Sequence, residues 1–323
     1  MPFEFQVKTT GELTTAEISD HTRLFREVYG KPSTADLFLR KFARNCQGRS
    51  VHSLMFHDGE LAGAFSAIPG RYRFFGQTLV FANTADLMIS PRHRGSIPRL
   101  QTLAEGLYGA LAREGVAFVF GCLRDEVFHV HRSVSGWRAA GKMHYYAAPI
   151  RLPWLGPATA LLRTGARLRN RFSPAPQASG DLQFPIEKVN DAAFADYRYH
   201  VFPTAYRNVS LPGGGAVYAV DLFHPVAGVP ANIRLGLLID VFPLTKTNFD
   251  GAAAAIRKLE PWLGALAYQG HLPFQPRDMM RVPARFEKPS WTLGGRILLP
   301  AVADERVFDI ANWNINLSNG DLV

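Results

Sequence analysis

The stretch from Thr78 to Cys122 constrains the fold of this chain more than any other. Thr78–Ile89 is a long strand candidate, and it ends in the basic turn Ser90-Pro91-Arg92-His93-Arg94-Gly95-Ser96. Leu100, Leu103, Leu107 and Leu111 then mark one face of a helix running to Arg113, with Pro98 suited to its first turn. Val116–Cys122 (VAFVFGC) follows as a fully apolar strand. A strand reached through a helix returns parallel to the strand before that helix. The chain must therefore hold a sheet with at least one parallel pair.

A strand that feeds a helix through such a turn presents unpaired N–H groups and the positive end of the helix dipole. Arg92, His93 and Arg94 add charge, and Gly95 lets backbone approach an anion closely, which suits a pyrophosphate. The same residues also suit a solvated surface turn. The formal charge of +9 is distributed as +5 in residues 1–150, +5 in 151–173 and −1 in 174–323. Charge so localised points to an anionic ligand on the first half, and nucleic acid is not expected as a partner.

With 323 residues, 47% of them apolar and 20% charged, the chain is long enough for two cores and too apolar to be disordered. Helical spacing over Glu17–Val28 and Ala35–Phe42 predicts a helix, a turn and a second helix. Val51–Phe56, Leu61–Ile68 and Tyr72–Phe75 read as an antiparallel meander punctuated by Asp58-Gly59 and Pro69-Gly70. An arginine-rich connector at 151–180 divides the chain into units 1–150 and 181–323. Trp154, Leu155, Leu161 and Leu162 beside its arginines fit a helix packed across both units, and they also fit an amphipathic helix resting on anionic lipid through 151–173. Beyond it, Gly215–Phe223, Ile233–Phe242, a helix at Asp250–Leu259 and Ala265–Tyr268 repeat the β-loop-α-β order. The loop of this second copy, Pro243–Asn248, has no glycine and one basic residue, so it is not expected to bind a coenzyme.

Only two cysteines occur, Cys46 and Cys122, and neither belongs to a CxxC pattern. That excludes a disulfide framework or zinc ribbon and fits a reducing cytoplasm. No apolar run approaches the roughly 18 to 20 residues of a membrane span, and Met1–Thr15 lacks the pattern of an export signal.

The stretches FREVYG, RKFARNCQG, HDGELAGAFS, ADLMISPRHRG, VAFVFG and HRSVSGW follow one another between Phe25 and Trp137. In this order they resemble the GNAT acyltransferase superfamily over about a third of the chain. The resemblance implies a mixed α/β sheet that binds acyl-coenzyme A, acetyl-CoA or another, between its fourth and fifth strands. It implies that the backbone at Leu87, Met88 and Ile89 holds the pantetheine arm, and that the turn after the fourth strand binds the pyrophosphate. Arg92-His93-Arg94-Gly95-Ser96-Ile97 matches the family's Gln/Arg-x-x-Gly-x-Gly/Ala pattern at Arg92 and Gly95. It departs at Ile97, where a bulky side chain is expected to crowd the phosphates or tilt the helix.

Amine acylation needs a base for the incoming amine and an acid for the departing thiolate. Asp86 is the carboxylate nearest the position for a base, and its place in the strand also suits solvent or a structural ion pair. Where the family often has a tyrosine before the pair Gly136-Trp137, this chain has Arg132. His131 and His129 stand beside it as candidate acids, with Tyr145 and Tyr146 as more distant substitutes, and ordinary helix-surface histidines as the other reading. No metal is expected, because the two histidines lack a third ligand nearby. Trp313, Asn316 and Asp321 resemble the Trp-and-Asp ending of two-domain GNAT proteins of envelope or polysaccharide biosynthesis. Such groups could stack on and hydrogen-bond an amino sugar, although aromatic residues also make cores and amides close turns.

These readings together predict an N-acyltransferase carrying an acyl group, acetyl by preference, from acyl-CoA to a small-molecule primary amine. Units 1–150 and 181–323 would bind the coenzyme and help to hold the acceptor, respectively. Two other readings stand beside this one. A Fem-like aminoacyl transferase would meet tRNA through the connector, and the near-neutral second half argues against it. A GNAT-like module without catalysis would bind a partner or a membrane through the same segment.

Overall fold

A computed structural model describes residues 2–151, 161, 164–165, 167–168, 170, 184–201, 204–221, 233–287 and 289–320. The chain opens with β1 (Glu4–Thr9), α1 (Thr15–Tyr29) and α2 (Ala35–Phe42). Thr14 and Glu17 form a capping box that starts α1, and Gly30 ends it at φ 65°. Next come β2 (Val51–His57), β3 (Glu60–Phe74) and β4 (Gln77–Ile89), antiparallel as expected. The break expected at Pro69-Gly70 is absent, and β3 runs through it. On the side away from β4, β2 pairs with β3 only up to Ala67, and a short strand at Ile186–Lys188 takes over at Tyr72. Pro69, which has no N–H to give, falls between these two partners.

The central unit follows as α3 (Ile97–Arg113) and β5 (Val116–Arg124), then α4 (Asp125–Ser135) and β6 (Arg138–Pro149). β4 and β5 are parallel. The second half holds β7 (Ile186–Lys188), α5 (Ala192–Tyr199), β8 (Arg207–Leu211), β9 (Gly214–Val220) and β10 (Leu235–Phe242). It continues with α6 (Lys246–Leu259), β11 (Ala265–Gly270), β12 (Met280–Arg281) and β13 (Trp291–Ile297). β10 and β11 are again parallel across a helix. That helix starts ahead of Asp250, inside the stretch read as a loop, because the Thr245 side chain accepts from the Asn248 amide and caps it.

Among the described residues the strands form one sheet in the order β1-β2-β3-β4-β5-β13-β6-β11-β10-β9-β8, with β7 on β3 and β12 on β6. The sheet does not part at residue 150. β6 pairs with β13 through its first half and with β11 through its second, and β13 lies between β5 and β6. A strand from the far end of the chain thus completes the first unit. Glycine permits this close fit: a Cβ at Gly295 would stand 2.1 Å from the Val119 carbonyl oxygen, and one at Gly294 2.3 Å from the Phe128 ring.

Alternation along β5 divides the core. Val119 packs with Leu103, Leu107 and Leu111 of α3, whereas Phe118 and Phe120 belong to a cluster with Tyr72, Phe81 and Trp313 on the opposite face. α1 and α2 set Ile18, Leu24, Phe38 and Phe42 on Ile68, Ala85 and Met88.

In the connector, Trp154, Leu155, Leu162, Arg163, Arg169 and Arg171 lie outside the described residues. Arg167 donates to Asp278 at 2.5 Å, and the Asn170 amide donates to the carbonyls of Pro276 and Met279, so this part is docked on the second half. Burial alone would raise the Asp278 carboxyl, but the guanidiniums of Arg167 and Arg257 outweigh it and hold it down to about 2. Among the described residues no helix is long and apolar enough to cross a membrane.

Candidate active site

β4 and β5 separate midway. Their parallel pairing runs from Val80 and Val116 to Asn83 and Phe120, yet β4 continues to Ile89 and β5 to Arg124. At the apex of the gap, Thr84 Oγ1 donates to the Phe120 carbonyl at 3.4 Å, and a Cβ on Gly121 would stand 3.0 Å from that hydroxyl. Beyond it, β4 keeps β3 on one edge and, among the described residues, has no strand along the other. An extended ligand could lie along an edge of this kind. The carbonyls of Leu87 and Ile89 accept from the Tyr29 hydroxyl at 2.9 Å and from Arg94 Nε at 3.1 Å, which steadies this half of the strand. The Met88 side chain is core.

β4 leads directly into the basic turn. Pro91–His93 make one 3-10 turn, Gly95 has φ 91°, and the Ser96 side chain caps α3 by accepting from the Arg99 amide. No acceptor among the described residues pairs with the amides of Arg94, Gly95, Ser96 or Ile97. Four successive free amides ahead of a 17-residue helix form a donor set suited to a phosphate. Arg92 and Arg94 are exposed beside them, and a Cβ on Gly95 would meet nothing within 4 Å. Ile97 departs from the crowding expected of it. Its side chain is 61% exposed and fills no space in the turn, and α3 remains seated through Leu103, Leu107 and Leu111.

Asp86 occupies a bulge in β4, where the register against β3 shifts between Ala64 and Ser66, and its φ is 49°. The extra residue resets the alternation, so that Ala85, Asp86 and Met88 all meet residues of α1 or α2. Ala85 packs with Phe38 and Phe42, Met88 packs with Leu24, and Asp86 accepts from Lys41 Nζ at 2.7 Å. Both charged side chains are about nine-tenths buried. Asp86 is thus found in an ion pair, one of the roles its place in the strand suited, and with Lys41 it lines a cavity of about 240 Å³.

The two histidines are not brought together. The His131 ring is 2% exposed, with its centroid 4.5 Å from that of Trp137 and 5.5 Å from that of Phe65. Burial pushes its imidazole down to about 4, and Nδ1 has no hydrogen-bond partner among the described residues. It is a neutral core residue at pH 7, sealed from substrate in this conformation, and no imidazolium is there to act as an acid. His129 is exposed on the outer side of α4. Tyr145 and Tyr146 are buried, and burial pushes both hydroxyls up to about 12.

The expected sugar platform is also core. Trp313 is fully buried and donates through Nε1 to the Val307 carbonyl at 2.8 Å, leaving no face for stacking. The buried Asn316 amide donates to Asp240 at 2.9 Å. Asp240 also accepts from the Tyr199 hydroxyl at 2.7 Å and lies 3.0 Å from Lys188 Nζ, so Asn316 belongs to a polar network that ties β10 to β7, α5 and the tail. Asp321 lies outside the described residues.

A cavity of about 60 Å³ lies over β3 and β4 where they approach the gap. Its lining includes Ile68, Tyr72, Asn83, Lys188, Arg198 and Asn319. Sequence reasoning passed over Asn83 and Arg198 because neither sits in a motif. It also passed over Lys41 and Tyr29, although both fall in stretches that carried the resemblance.

No family model matches the chain, and neither does any curated protein. Solved structures do match. A probable N-acyltransferase of unknown function from Enterococcus faecalis V583 superposes with a TM-score of 0.57 at 15% identity, covering 92% of this chain and 73% of that one. A GCN5-related N-acetyltransferase from Anabaena variabilis gives 0.56 at 10% identity, over 91% and 73%. Eis1 from Mycobacterium abscessus gives 0.54 at 12% identity, over 91% and 74%. With the parted β4–β5 pair and the free amides ahead of α3, this likeness identifies the chain as having the fold of the GCN5-related N-acetyltransferase superfamily.

Proposed function

We propose that this protein is an acyltransferase that moves an acyl group from acyl-CoA to a primary amine. The single observation that carries the reading is the parting of β4 from β5 beside four free amides at the start of α3. The coenzyme's pyrophosphate would take those amides with Arg92 and Arg94, and its pantetheine arm would run along Leu87–Ile89 into the gap. Acetyl is the acyl group we favour. An amino-sugar acceptor loses its support with the burial of Trp313 and Asn316, so the acceptor is proposed only as a small amine.

In the transfer, the neutral amine nitrogen attacks the thioester carbonyl carbon. The C–N bond forms, the C–S bond breaks, the nitrogen gives up one proton and the thiolate sulfur takes up one. The products are an amide and free coenzyme A. Alignment in the gap supplies proximity, and dipoles fixed along β4 can stabilise the oxygen that gains charge.

Calorimetric titration of acetyl-CoA into wild type and Gly95→Trp tests this reading. Wild type is expected to bind, with release of a free thiol when an amine is added. Gly95→Trp has open space for its side chain but a strained φ of 91°, and should bind at least about tenfold more weakly. Equal affinity in the two proteins would overturn the assignment of the turn.

A further inference from the structure

The cavity over β3 and β4 lies on the face of the sheet opposite α3. Its Tyr72 belongs to the cluster that holds Phe118, Phe120 and Trp313, whereas α3 packs with Val119 on the other face. Asn83, in its lining, is the last β4 residue paired with β5, one position before Thr84 at the apex of the gap. A donor held at α3 and an acceptor held in this cavity would therefore reach the gap from opposite faces.

Among the described residues the charges around the cavity do not cancel. Arg71 is paired with Asp191, and Lys188 with Asp240. Arg198 is 3% exposed, and no carboxylate among the described residues pairs with it. Its guanidinium donates to the carbonyls of Ser318 and Leu317 at 3.2 and 3.3 Å and to the Tyr206 hydroxyl at 2.7 Å. Those contacts use three of its five N–H groups, the guanidinium carbon stands 5.4 Å from the Tyr206 ring centroid, and among the described residues no carboxylate offsets its charge. A buried guanidinium without a counter-ion favours an anion beside it, and its planar fork suits a carboxylate or a phosphate. Elsewhere in the lining, the Asn83 side chain has no hydrogen-bond partner among the described residues.

We infer that this cavity is the acceptor subsite and that it takes a small amine bearing an anionic group, with Arg198 holding the anion and Asn83 lying on the side of the gap. The inference rests on the acyl-transfer reading and names the class of acceptor for it. A volume of about 60 Å³ holds on the order of four waters, which matches an anionic group with two or three carbons.

The test follows thiol release from acetyl-CoA with β-alanine, 2-aminoethyl phosphate and propylamine, three amines that differ in the group at the far end. One of the two anionic amines should exceed propylamine in kcat/KM by about tenfold or more, and whichever leads names the anion. Propionate should also compete with propylamine. Arg198→Gln should bring the anionic amine down to the level of propylamine. If the variant fails to fold, the wild-type panel and the propionate competition still decide. Equal turnover of all three amines, with no inhibition by propionate, overturns the inference while leaving acyl transfer intact. If acetyl-CoA does not bind at all, the acyl-transfer reading fails instead. Saturation-transfer NMR of propionate on the wild-type protein then tests the cavity by itself, and absence of binding there overturns the anion site.

Discussion

Asp86 accepts the Lys41 ammonium at 2.7 Å from a backbone at φ 49°, in the bulge of β4 where a catalytic base would be sought. Removing one member of a buried pair strands the other's charge, at a cost on the order of 3–5 kcal/mol. Lys41→Met should lose about that much in urea unfolding. Adding Asp86→Asn should recover part of it, because asparagine tolerates the left-handed backbone. In kinetics, Asp86→Asn should keep both limbs of the wild-type pH–rate profile. Loss of the acidic limb would instead make Asp86 the base.

Ile97 stands where the family has a small residue, yet its side chain is 61% exposed. Only its amide can serve a phosphate. Ile97→Ala should leave acetyl-CoA affinity within about twofold of wild type and stability within about 0.5 kcal/mol. A marked gain in affinity on calorimetry would show that the side chain does obstruct the turn.

His131 couples stability to pH. In the unfolded chain its imidazole titrates at the ordinary value near 6.5, and in the fold burial lowers it to about 4. Between those values the unfolded state binds more protons than the native one, so stability falls as pH drops from about 6.5 to about 4. The loss from this residue is on the order of 3 kcal/mol at most. His21, lowered by burial and then by Lys41 to about 3, acts in the same direction. Urea unfolding at pH 7 and pH 5 should show a smaller difference for His131→Phe than for wild type. An unchanged difference would place His131 in contact with water.

Because β13 lies between β5 and β6, a fragment of residues 1–150 would expose both of their inner edges. Unpaired edges invite association between chains. The fragment should aggregate or remain unfolded by circular dichroism and size-exclusion chromatography. In the full chain, Gly295→Val places carbon 2.1 Å from the Val119 carbonyl oxygen and should remove hydrogen-exchange protection from Val116–Arg124. A monomeric, folded 1–150 fragment would show that the first unit closes without β13.

The basic turn, α3 and β5 were legible in the sequence because they depend on neighbours. Leucines at helical spacing, a proline suited to a first turn and an unbroken apolar run each act over a few residues, and together they require a parallel return. The same reasoning reached β10, α6 and β11. It misplaced the start of α6 because the Thr245 cap was overlooked. It also divided β3 at Pro69, because whether a missing N–H matters depends on which strand lies alongside.

The sequence by itself determined the paired helices α1 and α2, the β4–α3–β5 unit and the basic character of residues 92–97, since spacing and residue type act locally. Only the tertiary structure decided where Asp86, His131, Trp313 and Arg198 stand and what they touch. Asp86 and His131 change roles through a bulge and through burial, which neighbouring residues do not reveal. Trp313 and Arg198 acquire theirs from elements that meet across the fold. The insertion of β13, which sets Trp291 opposite Arg124, is the extreme case: it depends on the shape of both surfaces and leaves no periodic trace in the residues between them.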